Sequence, residues 1–181
     1  NPTAMAAIAE NIAKSNNVSI KIFSRSECEK MGMGMFLGVA RASKEAEPRF
    51  VHLTYRPKKP ALKKIALIGK SITFDSGGLS LKTSQGMEDM KSDMAGGAAV
   101  LGVFSLLDKW GCPYEVHGIL PCTENMLSDT SYKLGDVLVS MSGKTVEINN
   151  TDAEGRLILG DAFTYALKEV QPDEMIDLAT L

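Results

Sequence analysis

Three short glycine-bearing stretches hold most of the residues that could do chemistry: GKSITFDSGGLSLK (69–82), MKSDMAGGAA (90–99) and NNTDAEGRL (149–157). They supply Lys70, Asp75, Lys82, Asp93, Asp152, Glu154 and Arg156. Hard divalent cations prefer carboxylate oxygens, and two ions held close together need a carboxylate that can reach both. Asp75, Asp93, Asp152 and Glu154 are enough for a dinuclear centre, so the inventory is that of a metal-dependent hydrolase.

Each acid also has a plainer reading. Asp93 precedes an apolar helical run as an N-cap would, and Thr151-x-x-Glu154 ahead of LILGDAF has the form of a capping box. Accumulation argues for the metal reading. The four acids lie beside Gly77-Gly78, Gly96-Gly97 and Gly155, which permit close backbone approach to a site, and caps require no such clustering.

Two other motifs fail on inspection. IALIGKS mimics the end of a phosphate-binding loop, but Lys64 stands where that loop needs its first glycine, and a β-like ITF follows Ser71 instead of a helix. Ser76 misses the nucleophile elbow because Phe74 occupies the first glycine position.

The elements that must carry these residues alternate. TAMAAIAENIAKS has helical spacing, VSIKIF and RFVHLTY read as strands, and SRSECEKMGMGMFLGVARAS reads as two short helical pieces. KKIALIG is a further strand, Asp93 opens a helix running to Trp110, and YEVHGILPC is a strand. VLVSMSGKTVEI reads as a hairpin, RLILGDAFTYALKEV as a helix and EMIDLATL as the last strand. The pattern predicts an α/β fold with a mostly parallel mixed sheet covered by helices on both faces. In such sheets ligands bind beyond the carboxyl ends of the strands, where Lys70, Glu124-Asn125 and Thr180-Leu181 fall.

Composition narrows the class. A chain of 181 residues with net charge −2 and pI near 5.8 suits one globular domain and offers no basic surface for nucleic acid. No apolar run has the length of a membrane span, and the expectation is a cytoplasmic protein. Cys28, Cys112 and Cys122 are widely spaced and predict buried thiols, neither a disulfide framework nor a thiolate zinc site. His52 and His117 each sit in a strand-like run without a ligand-like partner and read as structural.

At these motifs the sequence resembles the leucyl (cytosol) aminopeptidases, peptidase family M17, whose pattern includes G-K-G-x-T-F-D-S-G-G and N-T-D-A-E-G-R-L. The likeness extends from GMGMFLGVARAS (32–43) through FVHLTYRP to the closing DLATL. It implies a metallo-exopeptidase that uses two divalent ions, Zn2+ or Mn2+, to remove leucine-like N-terminal residues from peptides. Asp75 and Glu154 would contact both ions, Asp93 and Lys70 would complete the tighter site, and Asp152 the more exchangeable one. Lys82 would be the catalytic lysine, and Arg156 would hold a bicarbonate. Met90, Thr180 and Leu181 would meet the substrate. As a ligand Lys70 must be a neutral amine, which a local dication can enforce.

The resemblance further implies a homo-hexamer and a chain (1–181) that is a truncated piece of a catalytic domain, lacking the N-terminal non-catalytic domain and the C-terminal part. A second reading follows: a catalytically incomplete piece serving only in assembly or interaction. Two positions depart from the family pattern. Ser71 replaces a usual glycine beside the site, which would crowd it or demand an altered backbone angle. SDTSYKLGD (128–136) replaces a segment that commonly has proline before Gly-Asp, an expected loop change with little catalytic effect.

Overall fold

The computed structural model describes residues 1–180. Its centre is β5 (Glu115–Asn125), a strand buried along nearly its whole length. An apolar run such as VHGILPC suits a strand covered on both faces. β2 (Arg49–Tyr55) pairs antiparallel with one side of β5, and β1 (Val18–Phe23) pairs antiparallel with β2. On the other side β5 has two successive parallel neighbours. β3 (Lys64–Gly69) accompanies its first half up to Ile119, and β4 (Ser71–Asp75) takes over at Cys122. β8 (Glu174–Leu178) lies parallel to β3. The sheet is therefore mixed, with its parallel part around the strand ends that bear the chemistry.

Pro121 lies within β5 although proline cannot donate to a ladder. It sits where the neighbour changes from β3 to β4, with Ile68↔Ile119 before it and Ser71↔Cys122 after it. That discontinuity lets Lys70 leave the sheet.

α1 (Pro2–Ser15) and α5 (Ala95–Phe104) cover one face, with Met5, Ala9, Val100 and Phe104 packed on Val51, Leu53 and Leu120. α3 (Gly34–Ala40) and α6 (Glu154–Tyr165) cover the other, burying Phe36, Ile158 and Ala162 against Phe50, Ile68 and Ile119. Asp161 of α6 is fully buried and accepts the N–H groups of Met35, Phe36 and Met141 at 2.8–2.9 Å. It thereby caps α3 and ties down the hairpin of β6 (Val137–Val139) and β7 (Thr145–Glu147), satisfying a carboxylate that burial would otherwise penalise. The remaining short helices are α2 (Arg25–Lys30) and α4 (Ser84–Met87).

Two expectations are corrected. Asp93 does not open a helix: it closes a 3-10 turn (Met90–Ser92), and α5 starts at Ala95 and stops at Phe104. Its carboxylate turns inward to a lysine instead of outward to the helix amides. The capping box set aside above for Thr151 is indeed not formed, since the N-cap of α6 is Ala153. The Thr151 hydroxyl instead donates to Gly77 O and accepts from Ser80 N, both at 2.7 Å. Finally, the helix expected through Val170 ends at Tyr165 and continues as a π turn to Val170, closed by Gln171 in the left-handed region.

Candidate metal centre

The site begins at the break after β3. Lys70 N–H donates to Leu178 O (2.9 Å) and Lys70 C=O accepts from Gly97 N (2.8 Å), so this residue fastens the ends of β8 and α5 together. The approach requires glycine in α5: a Cβ on Gly97 would lie 2.1 Å from Ser71 Oγ. Lys70 Nζ then reaches inward, 2.9 Å from both Asp93 Oδ1 and Glu154 Oε1, and donates to Thr180 O at 3.3 Å.

Asp75 ends β4 and is buried. Its Oδ1 accepts from Gly77 N (2.9 Å) and Asn125 Nδ2 (2.8 Å), and its Oδ2 faces Lys82 Nζ at 3.2 Å. Gly77 and Gly78, with φ of +84° and +63°, turn the chain in the left-handed region, and Lys82 comes back over the site to lie 2.6 Å from Asp152 Oδ1. Thr151 joins the two loops, pairing with Gly77 and Ser80 on one of them.

Carboxylate atoms of Asp75, Asp93 and Glu154 lie within 4.8 Å of one another, and all three residues are buried. Burial, followed by the neighbouring Asp75 carboxylate, pushes Glu154 up to about 7 despite its pairing with Lys70. Burial depresses the Lys70 ammonium, yet Glu154 and Asp93 more than offset this and hold it above the usual lysine value. Lys82 behaves alike, lowered by burial and raised further by Asp152 and Asp75.

Two lysines are thus fixed between acids, and still Asp93 Oδ2 and Glu154 Oε2 are buried without a hydrogen-bond partner. An unpaired buried carboxylate oxygen is costly, and a cation is the partner that would satisfy several at once. The donor set, oxygen with one amine, fits hard or borderline divalent ions.

These groups line one cavity of about 570 Å³ at the carboxyl ends of the strands. It holds Lys70, Asp75, Lys82, Met90, Asp93, Asp152, Glu154, Arg156 and Thr180, every site residue expected from sequence except Leu181, which lies outside the described residues. Arg156 is exposed and Met90 half-buried. Sequence reasoning gave no role to Asp177, Leu159 and Ala179, which also line the cavity, or to the supports Asn125, Thr151 and Tyr132. Asn125 carried a faint signal as a polar residue ending a buried strand; Tyr132 carried none.

Ser71 does not crowd the site. Its hydroxyl donates to Gly69 O (2.9 Å) and faces Gly97 on the sheet side, and among the described residues only Asn17 and Gln171 combine a side chain with positive φ. The 128–136 segment comes closer than expected: Tyr132 is buried and its hydroxyl donates to Thr151 O at 2.6 Å, directly beneath the loop that carries Asp152. The histidines lie elsewhere, hydrogen-bonded to each other across β2 and β5 (2.8 Å). Cys28 and Cys122 are buried thiols, both pushed by burial to about 12, and Cys112 is half-buried.

The profile described as "Cytosol aminopeptidase family, catalytic domain" matches residues 1–181. The chain belongs to the cytosol aminopeptidase family. A probable cytosol aminopeptidase of Gloeothece citriformis is 48% identical over 181 residues, covering 99% of this chain and 36% of that protein. One from Thermosynechococcus vestitus is 50% identical with the same coverage. Among solved structures, the apo leucyl aminopeptidase of Trypanosoma cruzi superimposes with a TM-score of 0.95 at 42% identity, over all of this chain and 36% of that one. The Trypanosoma brucei enzyme, solved in complex with bestatin, gives 0.95 at 39% identity, over 100% of this chain and 35% of that one. The α/β fold is that of the cytosol aminopeptidases, and the chain spans about a third of the length of these relatives. No helix among the described residues is long and apolar enough to cross a membrane.

Proposed function

We propose that this cytosol aminopeptidase chain forms the metal centre of an exopeptidase that removes N-terminal, leucine-like residues from peptides. The observation that carries the reading is the convergence of Asp75, Asp93, Asp152 and Glu154 with two lysines in one cavity, with buried carboxylate oxygens left unpaired. Asp75 and Glu154 would serve both ions, Asp93 and Lys70 would complete one site, and Asp152 would complete the other. Lys70 would give up its proton to ligate. Such a pair of divalent ions supplies an activated water and a polarised scissile carbonyl.

The chain's own groups do the rest. Lys82, free to leave Asp75 and Asp152 once cations take those carboxylates, would place its ammonium on the charge that develops at the carbonyl oxygen. Arg156, exposed on the cavity wall, offers the planar fork suited to bicarbonate as a proton carrier. Met90 supplies a flexible apolar wall for the first side chain, and the segment of Thr180 and Leu181 would bind substrate backbone. Zn2+ or Mn2+, peptide substrates, a cytoplasmic setting and a homo-hexameric assembly complete the proposal, which includes neither nucleic acid nor membrane as a partner.

The test is hydrolysis of leucine p-nitroanilide in the presence of Mn2+ or Zn2+, beside its N-acetylated analogue. A free-amine-dependent activity abolished by chelator supports the reading. Equal cleavage of the acetylated compound overturns the exopeptidase assignment.

A further inference from the structure

Asn125 is fully buried at the end of β5 and is not among the residues that line the cavity. Its amide donates twice, to Asp75 Oδ1 (2.8 Å) and to Thr151 O (3.0 Å). The amide orientation is forced, because the flipped form would set its oxygen against two acceptors. Its Oδ1 faces Gly78, near enough that a Cβ there would lie 3.1 Å away, and has no partner. A buried amide oxygen left unpaired is a cost, tolerated here while both N–H bonds are kept. The main chain grips the same elbow, since Asn125 O accepts from Ser76 N (2.9 Å) and Ser76 Oγ (2.8 Å).

Two consequences follow. With Gly77 N and Asn125 Nδ2 both on Oδ1, Asp75 has its outward oxygen committed, and Oδ2 is the one left facing the cavity. Thr151 O, the other acceptor, belongs to the residue before Asp152, so one neutral amide joins the two loops that carry Asp75 and Asp152, the acids that share Lys82. A lysine there would compete with the cations for the carboxylates, and an aspartate would repel Asp75. An amide can hold an acid in place without adding charge.

We propose that Asn125 is a positioning residue of the metal centre, orienting Asp75 so that Oδ2 is presented to a cation and setting the spacing between the Asp75 and Asp152 loops. The inference rests on the dinuclear reading above.

The experiment titrates Co2+ into the purified protein against a chromophoric chelator and records the visible absorption of the bound ion, for wild type, Asn125→Ala, Asn125→Asp and Tyr132→Phe, with the melting temperature of each metal-free protein. Outer partners of ligands typically cost about 10–100-fold in metal affinity when removed. That loss, with an altered Co2+ spectrum, is expected for both Asn125 variants. Asn125→Asp separates positioning from charge, since an added carboxylate acting only through charge would tighten Co2+. Tyr132→Phe, which takes a donor from Thr151 O but leaves the bond to Asp75 in place, is expected to lose clearly less affinity than either Asn125 variant and to keep the wild-type Co2+ spectrum. Wild-type affinity and spectrum in either Asn125 variant overturn the inference, as does an equal loss in Tyr132→Phe, which would mark a general softening of the loop. A wild type that takes up no Co2+ fails earlier and removes the dinuclear reading along with it.

Discussion

Ser71 and Gly97 share one space: the serine hydroxyl fills the volume that a side chain at 97 would need, 2.1 Å from where its Cβ would stand. Gly97→Ala is therefore expected to destabilise the protein by about 2 kcal/mol, in the range of overpacking. Because the clash is chiefly with one atom, Ser71→Ala should recover part of the loss in the double variant, a coupling that a thermodynamic cycle from urea unfolding measures. Strictly additive effects would contradict the packing argument.

Gly155 plays the corresponding part for Lys70, since a Cβ would fall 3.0 Å from its Nζ and Cε. Gly155→Ala lies in the first turn of α6, where alanine favours helix, so the fold should persist. The displaced Lys70 should lower metal affinity while the melting temperature of the metal-free protein holds or rises. A calorimetric metal titration that matches wild type would refute this.

Glu154 is expected to stabilise function at the expense of the metal-free fold. Its folded value of about 7 lies above the ordinary 4.5, so the folded state binds the proton more tightly. The resulting penalty is absent below pH 4.5, grows as pH rises through about 7 and is complete above it. Glu154→Gln should then raise the melting temperature of the metal-free protein at pH 8 and reduce metal uptake. A lower melting temperature there would show that the Lys70 pairing outweighs burial.

The histidine pair predicts a response of opposite sign. Glu115 accepts from His117 Nε2 (2.8 Å), which leaves His117 Nδ1 to accept from His52 Nε2 (2.8 Å) and His52 Nδ1 to accept from Tyr165 O–H (2.9 Å). Burial first, then His117, Lys21 and Arg56, bring His52 down to about 4 from 6.5. Stability from this chain of bonds is full above pH 6.5 and lost as pH falls towards 4. Melting temperatures across that interval should fall less steeply in His52→Leu than in wild type; parallel curves would exclude His52 as the cause.

Much of this arrangement was legible from residue order. Strands alternating with helices placed the sheet, and glycine-flanked acids, with Lys70 and Asp75 at strand ends, pointed to the cavity, because both follow from local pattern. What stayed hidden was which partner each polar side chain prefers. Asp93 and Thr151 match helix caps by spacing, but a buried lysine and a neighbouring loop carbonyl, distant in sequence, compete for them and win. Tyr132 gives no periodic signal, since its role depends only on where its hydroxyl meets Thr151 O.

Lys82 lies between Asp75 and Asp152 and is less buried than Lys70. If its ammonium serves the developing oxyanion, Lys82→Ala should lower kcat by about 10²-fold with metal content unchanged. Loss of metal from this variant would assign the lysine to holding the acids instead.

The central claim is that these acids hold two ions, and metal stoichiometry tests it most directly. Equilibration of the purified protein with Mn2+, followed by metal analysis of wild type and Asp75→Ala side by side, is predicted to give about two ions per chain in the first and a marked deficit in the second. No bound metal in wild type, or an unchanged content in Asp75→Ala, would contradict the account.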